Sequence, residues 1–501
     1  MNKPIRTVSV FCLVLFLALA LNATYLQYYH ANALNDRLGN GRVAIATFSR
    51  DRGAIVVGSS ADRTAVAQSV QTSDQYKYQR LYKQPFMYAP VTGWYTLGNE
   101  TGVERAQNDI LSGEDDRLFV NRLVDLVNGN ATKGGNVVLT INPAAQKAAF
   151  DGLKGLGPEV QGAVVAIEPA TGKILAMVSL PSYNPNKLAS HDFKAANAYA
   201  QQLTADKAQP LLNRALQTTL PPGSTFKIVT ASAAIENNVY SLSSQVPGGS
   251  AYTLPQSSNV VHNDVLGACG TTTIPFVQAM QYSCNTSFAP MAVKVGATDM
   301  HAQAEGYGFN QHYLDSDQWP SQAISQYPAG LDPAQTALAG FGQGSVTATP
   351  LQMAMTAAGI ANNGVVMKPH LVQEVESPSQ QPLAPAQVQS FSQATSKTTS
   401  DEVTKLMVAT VQGGTAAPAA IPGVVVAGET GTAQSGLKNP DGTEVPPYAW
   451  FVSFAPANPN PQVAVCVMIQ HVNRATDEIH GGTLGGPIAK AVMEAVLKSH
   501  G

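Results

Sequence analysis

The stretch QGAVVAIEPATGKILAMVSLPSYNPN, residues 161–186, places two apolar runs on either side of the turn Pro169-Ala170-Thr171-Gly172. It reads as an antiparallel hairpin. Three more strands follow much later, in VVVAGET (424–430), YAWFVSFAP (448–456) and QVAVCVMIQ (462–470). TLGGPIAKAVMEAVLK (483–498) closes the chain as a helix with apolar residues at helical spacing. Between the two strand groups lie the helical stretches FKIVTASAAIENN (226–238) and TPLQMAMTAAGIANNG (349–364). A sheet drawn from both ends of a unit, with a helical block inserted, is an α/β/α sandwich of the α/β class. SPSQQPLAPAQVQSFSQATSKTTS (377–400) is polar and reads as a surface loop or linker.

Outward from this core, NVVLTINPAAQKAAFDGLKGLG (136–157) gives a strand, a turn and an amphipathic helix, and the unit boundary falls near Gly157. Residues 36–157 mix short strands and helices, as in RGAIVVGSS and YKYQRLYKQPFMYAP, and form a separate α+β module; residues 158–501 form the layered domain. TVSVFCLVLFLALALNATYLQYY (7–29) carries no charge and follows Lys3 and Arg6. It is long enough to span a bilayer with its basic end in the cytoplasm, and Tyr25, Tyr28 and Tyr29 at the outer interface favour a retained anchor over residues 1–35. A cleaved leader is the competing reading, since Ala18 and Ala20, or Ala20 and Ala23, offer small residues near a cut. Either way the chain beyond about residue 36 is exported.

With 501 residues, 44% hydrophobic and 13% charged, the chain can bury a large core. Thirty basic against 33 acidic residues give a net charge of −3, which argues against nucleic acid as a partner. Of four cysteines, Cys12 lies in the apolar leader segment and Cys466 in a strand. Export permits a disulfide between Cys269 and Cys284, and two reduced buried thiols would serve equally; the sequence leaves both open. No spacing suggests a metal site, and no cofactor is named by the sequence.

Three short stretches carry chemistry. In LPPGSTFKIVTASAAIENN (220–238), Ser224 opens a helix and Lys227, three residues on, shares its face. Burial would lower the lysine's pKa and let it take the serine's proton, while the helix N-terminus favours an oxyanion. The same spacing also fits an N-cap serine with a lysine stretched to solvent, and Ser435 to Lys438 repeats it in a loop. In TTTIPFVQAMQYSCNTSFAPMAVKVG (271–296), Ser283 and Asn285 sit between two helices, where a hydroxyl can relay a proton and a carboxamide can bind a peptide. Ser-x-Asn recurs at Ser182 and Ser257, in loops flanked by prolines, and a helix-cap pair would explain the third copy too. VVVAGETGTAQ (424–434) reads as a strand edge where Gly431 admits close approach of an extended peptide, and Glu429 and Gly431 share one face.

Together, Ser224-Thr225-Phe226-Lys227, Ser283-Cys284-Asn285 and Glu429-Thr430-Gly431-Thr432 resemble, in order and spacing, the three active-site motifs of penicillin-binding proteins, the serine D,D-transpeptidases of the cell wall. GFGQGSVTATPLQMAMTAAGIANNG (340–364) and AWFVSFAP (449–456) are similar to that family's transpeptidase domain, while RGAIV and GVERAQNDILSG resemble its N-terminal pedestal, or dimerisation, module more weakly. No stretch is left for a glycosyltransferase domain, so the chain resembles a monofunctional class B member, closest to the actinobacterial elongation type.

The resemblance implies a role for each residue. Ser224 would attack the carbonyl between the two terminal D-alanines of a peptidoglycan stem peptide, and also the β-lactam ring. Lys227 would be its base. Ser283 would relay a proton to the leaving amine, Asn285 would bind the substrate amide, and the N–H groups of Ser224 and Thr432 would hold the oxyanion. Glu429, Thr430, Gly431 and Thr432 would bind substrate. The resemblance also implies a single-pass protein of the cell membrane, its catalytic domain outside, with a polytopic membrane glycosyltransferase as partner. Glu429 departs from the family pattern, which has lysine there to anchor a ligand carboxylate. Three readings follow: a working enzyme that binds β-lactams poorly, with Thr430, Thr432 or Arg474 as anchor; a Glu429 held protonated as a donor; or a non-catalytic scaffold. A D,D-carboxypeptidase, passing the acyl group to water, shares every motif.

Overall fold

The hairpin of residues 161–186 forms as Gln161–Ile167 and Ile174–Leu180, and it ends an antiparallel five-stranded sheet. In spatial order the strands are Ala427–Ala433, Tyr448–Ala455, Val463–His471, Gln161–Ile167 and Ile174–Leu180. The computed structural model describes residues 3–499 apart from 36–44, 46–47, 60–61, 97–98, 129–132, 266, 315–318, 320, 437 and 439–441. Every residue of Tyr448–Ala455 and of Ile174–Leu180 is buried, which requires cover on both faces of the sheet. One face packs on Pro143–Lys154 and Gly486–Ser499 through Ala145, Ala149, Leu153, Val492 and Val496. The other packs on Pro350–Ala361 and Lys397–Gly413. All twelve residues of Pro350–Ala361 are buried, as a helix that is apolar all round must be. The result is the α/β/α sandwich expected from the sequence.

The N-terminal module is built on a six-stranded sheet in the order Pro382–Pro385, Val372–Glu376, Asn136–Leu139, Ile55–Val57, Thr64–Gln71, Tyr78–Tyr82. Its first two strands come from far down the chain. Val372–Glu376 lies antiparallel to Asn136–Leu139, which is itself parallel to Ile55–Val57. Residues 377–400 are therefore not one loop or linker. They hold the strand Pro382–Pro385, the strand Ser390–Gln393 paired with Val365–Met367, and the start of the helix Lys397–Gly413, capped by Ser396. Within the module Glu104 is fully buried between Arg52 and Arg80, at 2.7 Å and 2.6 Å. Burial pushes its carboxyl up, but the two guanidiniums outweigh that and hold it below its ordinary value.

Lys3–Thr24 is a fully exposed helix that runs on through Tyr25–Tyr29. At 1.5 Å per residue its 22 residues reach about 33 Å, so it is compatible with a single membrane span.

Candidate active site

Ser224 lies in the tight turn Gly223–Phe226, which leads directly into the helix Lys227–Glu236. The turn is held from inside: Thr225 Oγ1 donates to the Pro222 carbonyl at 2.7 Å and the Gly223 N–H to the Gly342 carbonyl at 3.0 Å. It rests against the edge strand Ala427–Ala433. A Cβ at Gly431 would come within 2.8 Å of the Pro222 carbonyl oxygen and 3.0 Å of Trp450 Cβ. A Cβ at Gly223 would meet the Thr432 carbonyl at 3.2 Å. Glycine at 431 thus lets the serine's turn and the strand come together.

The second motif owes its geometry to a helix ending. Phe276–Gln281 stops at Tyr282; the Ser283 N–H then bonds the Met280 carbonyl and the Cys284 N–H the Ala279 carbonyl, the Schellman pattern. That pattern puts Ser283 in the left-handed region, φ 54°, a conformation costing a non-glycine residue about 1 kcal/mol or more. The next helix, Asn285–Val295, starts two residues later. Cys284, its N-cap, is disulfide-bonded to Cys269. The Asn285 Nδ2 group donates to the His262 carbonyl at 3.0 Å, tying the same segment to residues 260–263.

Lys227, fully buried, joins the motifs. Its Nζ donates to the Ser283 carbonyl at 2.6 Å, to Asn285 Oδ1 at 2.8 Å and to Ser283 Oγ at 2.9 Å, and it lies 5.4 Å from the centre of the Phe288 ring. All three partners of the amine belong to the second motif and none to Ser224, so as an ammonium it has no donor left over. Burial lowers its pKa to about 8, against the opposing pull of Glu429 and the exposed Asp264.

Glu429 sits on the inner side of the strand, fully buried. Ser283 Oγ donates to its Oε1 at 2.9 Å, completing a chain from Lys227 through Ser283 to Glu429. Oε2 has no hydrogen-bond partner among the described residues; the neighbouring Thr410 hydroxyl donates to the Leu406 carbonyl at 3.2 Å instead. Burial raises the carboxyl to about 8, with Lys227 opposing. Thr430 turns to the other face and donates to Thr415 Oγ1 at 2.8 Å, while Thr432 is partly exposed.

The structure thus gathers Ser224, Lys227, Ser283, Asn285 and the strand 429–432 in one place. Arg474 is not among them: it is exposed, lining a surface cavity with Asp151, Leu156 and Ile488. Lys397 is paired with Asp401 at 2.7 Å on its own helix. Asn184 and Ser257, from the other Ser-x-Asn copies, accept bonds from N–H groups two residues on, as turn residues do. The loop copy at Ser435 to Lys438 lies partly outside the described residues. Sequence reasoning missed Thr410, Thr415 and the bracing pair Asn263 and Thr286, whose side chains bond one another at 3.0 Å. No motif marks Thr410, Thr415 or Asn263, which long-range packing brings here, whereas Thr286 directly follows Asn285 in sequence. Among the described residues no group of three or more His, Cys, Asp and Glu could hold a metal ion.

Comparison with known proteins places the chain in one family. Residues 162–494 match the penicillin binding protein transpeptidase domain, and residues 52–137 the penicillin binding protein A dimerisation domain. The chain is 39% identical over 507 aligned positions to the peptidoglycan D,D-transpeptidase PbpA of Mycolicibacterium smegmatis and 38% identical to that of Mycobacterium tuberculosis, covering 99% of each chain in both cases. It superposes on the ceftriaxone acyl-enzyme of M. tuberculosis penicillin-binding protein A with a TM-score of 0.83 at 38% identity, covering 90% of this chain and all of that one. The imipenem acyl-enzyme of the same protein gives 0.83 at 37%. With a transpeptidase match over most of its length and motifs that meet around one buried lysine, this chain belongs to the penicillin-binding protein family.

Proposed function

We propose that this protein is a peptidoglycan D,D-transpeptidase that works through a serine acyl-enzyme. One observation carries the reading: Lys227, buried and held by Ser283 and Asn285, stands one helical turn from Ser224. Ser224 Oγ loses its proton to Lys227 as it bonds the carbonyl carbon between the two terminal D-alanines of a stem peptide. The N–H groups of Ser224 and Thr432 hold the oxyanion. When the C–N bond breaks, the proton passes through Ser283 to the departing D-alanine. An amine from a neighbouring strand then attacks the ester, restoring the Ser224 hydroxyl and leaving a cross-link. A β-lactam opens at the same serine and leaves a stable ester. Asn285 holds the substrate amide, and the strand of Thr430, Gly431 and Thr432 takes it as an added strand.

In this reading residues 36–157 serve chiefly as the pedestal, whose sheet is extended by the strands Val372–Glu376 and Pro382–Pro385, and residues 158–501 as the catalytic domain, to which the helix Pro143–Lys154 adds cover, outside a membrane crossed once by the N-terminal helix. The partner we infer is a polytopic membrane glycosyltransferase in the same bilayer, which would supply the glycan whose peptides are joined. No cofactor enters the reaction.

Acylation of the full chain by a fluorescent penicillin, followed by mass spectrometry, tests the proposal. The natural protein should gain one adduct on Ser224 and Ser224→Ala none. Since position 429 offers no cation to a ligand carboxylate, labelling should be slow and faster in Glu429→Lys. Failure of both the natural protein and Glu429→Lys to acylate would leave a scaffold role in its place.

A further inference from the structure

Glu429 poses a problem of charge balance. A fully buried carboxyl with one oxygen lacking a hydrogen-bond partner among the described residues is costly as an anion, and its other oxygen leads, through a single hydroxyl, to a lysine that must lose a proton to act. The three groups are in series, with both links at 2.9 Å. Among the described residues nothing else charged faces the carboxyl. The adjoining strand presents Val452, opposite Glu429 in register, and the helix Lys397–Gly413 presents Thr410. Of that helix's ionisable groups, Lys397 pairs with Asp401, Glu402 accepts from the Leu242 N–H and Lys405 is exposed. From the side of Lys227 the one further charge among the described residues is Asp264, exposed to solvent.

We propose that Lys227, Ser283 and Glu429 form a proton relay in which Glu429 stores, as a carboxylic acid, the proton that Lys227 gives up to become the base for Ser224. This rests on the transpeptidase reading above and assigns Glu429 a part in it. As the Lys227 N–H bond breaks, a new O–H bond forms on Ser283. The original Ser283 O–H bond breaks as one forms on Glu429 Oε1. Ammonium and carboxylate become amine and acid, with no change in net charge and no co-reactant. The amine, now with a lone pair, can turn from Ser283 towards Ser224. Glu429 touches no substrate and acts through Lys227, so it is a positioning residue that holds a proton.

The pair can carry two protons, one or none, and the relay works in the one-proton form. With burial holding both groups at about 8, that form belongs on the mildly alkaline side of neutrality. At lower pH a second proton blocks Lys227. At higher pH the last proton leaves Glu429, and the anion opposes a carboxylate-bearing ligand.

Two measurements on the full chain in detergent test this. Difference infrared spectroscopy without ligand should show a protonated carboxyl band that is absent from Glu429→Gln and fades as pH rises. The acylation rate of the natural protein should be bell-shaped in pH, its alkaline limb following that band, and Glu429→Gln should keep the acid limb and lose the alkaline one. A Glu429 carboxylate that stays ionised wherever acylation proceeds, or an alkaline limb retained in Glu429→Gln, overturns the relay. If Glu429→Gln misfolds, the natural protein's band and rate decide the matter by coinciding or not. Because the band is read without ligand, the relay can fail while Ser224 still acylates, and the reverse.

Discussion

Lys227 is an amine buried out of reach of water. A lysine removed wholly from water favours its neutral form, and Ser283 and Asn285 offer its N–H groups acceptors in either protonation state. A base of this kind differs from a surface lysine only in its surroundings, so the sequence could show Ser224-x-x-Lys227 but not the depth that gives it a usable pKa. Lys227→Met keeps the side chain's bulk and removes the amine. It should slow acylation of Ser224 by about 10²-fold or more, the range general bases supply, while the fold survives because the buried Glu429, no longer facing a cation, takes up a proton instead of standing as an unpaired charge. Acylation rates measured alongside thermal melting check this. A variant that melts normally and acylates at the natural rate would remove Lys227 from the role of base. The sequence did present Glu429, because its position in a known motif was wrong for its charge. What remained hidden was that its neighbours are Lys227 and Ser283 rather than solvent.

Among the elements, legibility followed apolar content. The hairpin 161–180 and the strands ending at Ala455 and His471 were readable because they are buried on both faces and so are nearly free of polar residues. The strands Pro382–Pro385 and Ser390–Gln393 have no fully buried residue and carry proline, serine and glutamine, so they read as a linker. The helix Lys397–Gly413 was missed with them. It buries Val403, Leu406, Met407 and Val411 but begins in a run of threonine, serine and charge. The edge strand of the site was legible in outline, and its closeness to the serine's turn explains Gly431. Its backbone conformation is open to any residue, so Gly431→Ala tests contact alone. The new methyl group must push back either the Pro222 carbonyl or Trp450. Overpacking of this kind costs about 1–3 kcal/mol, and displacing the nucleophile by about 1 Å can cost about 10²-fold in rate. Labelling by a fluorescent penicillin should fall accordingly, with melting only modestly lowered; an unchanged rate would mean that the turn and the strand need not be this close.

At the scale of the whole molecule, the chain crosses the boundary between its two modules more than once. The helix Pro143–Lys154 precedes Gly157 yet covers one face of the catalytic sheet beside Gly486–Ser499. Val372–Glu376 follows more than two hundred residues later yet extends the pedestal sheet against Asn136–Leu139. A piece cut at 158 would lose on both counts. Ala145, Ala149 and Leu153, all fully buried, would be gone, exposing the apolar side of the C-terminal helix, and Val372 and Val375 would stand on an unpaired strand edge. Residues 158–501 expressed alone should therefore aggregate or label poorly, whereas residues 45–501, lacking only the anchor and the segment after it, should run as a discrete species and take up a β-lactam at Ser224. Size-exclusion chromatography with labelling of each peak separates the outcomes. If 158–501 proves monomeric and labels at the rate of 45–501, the strand and helix shared across the boundary contribute nothing the catalytic sheet requires, and the pedestal is an independent module joined by its chain alone.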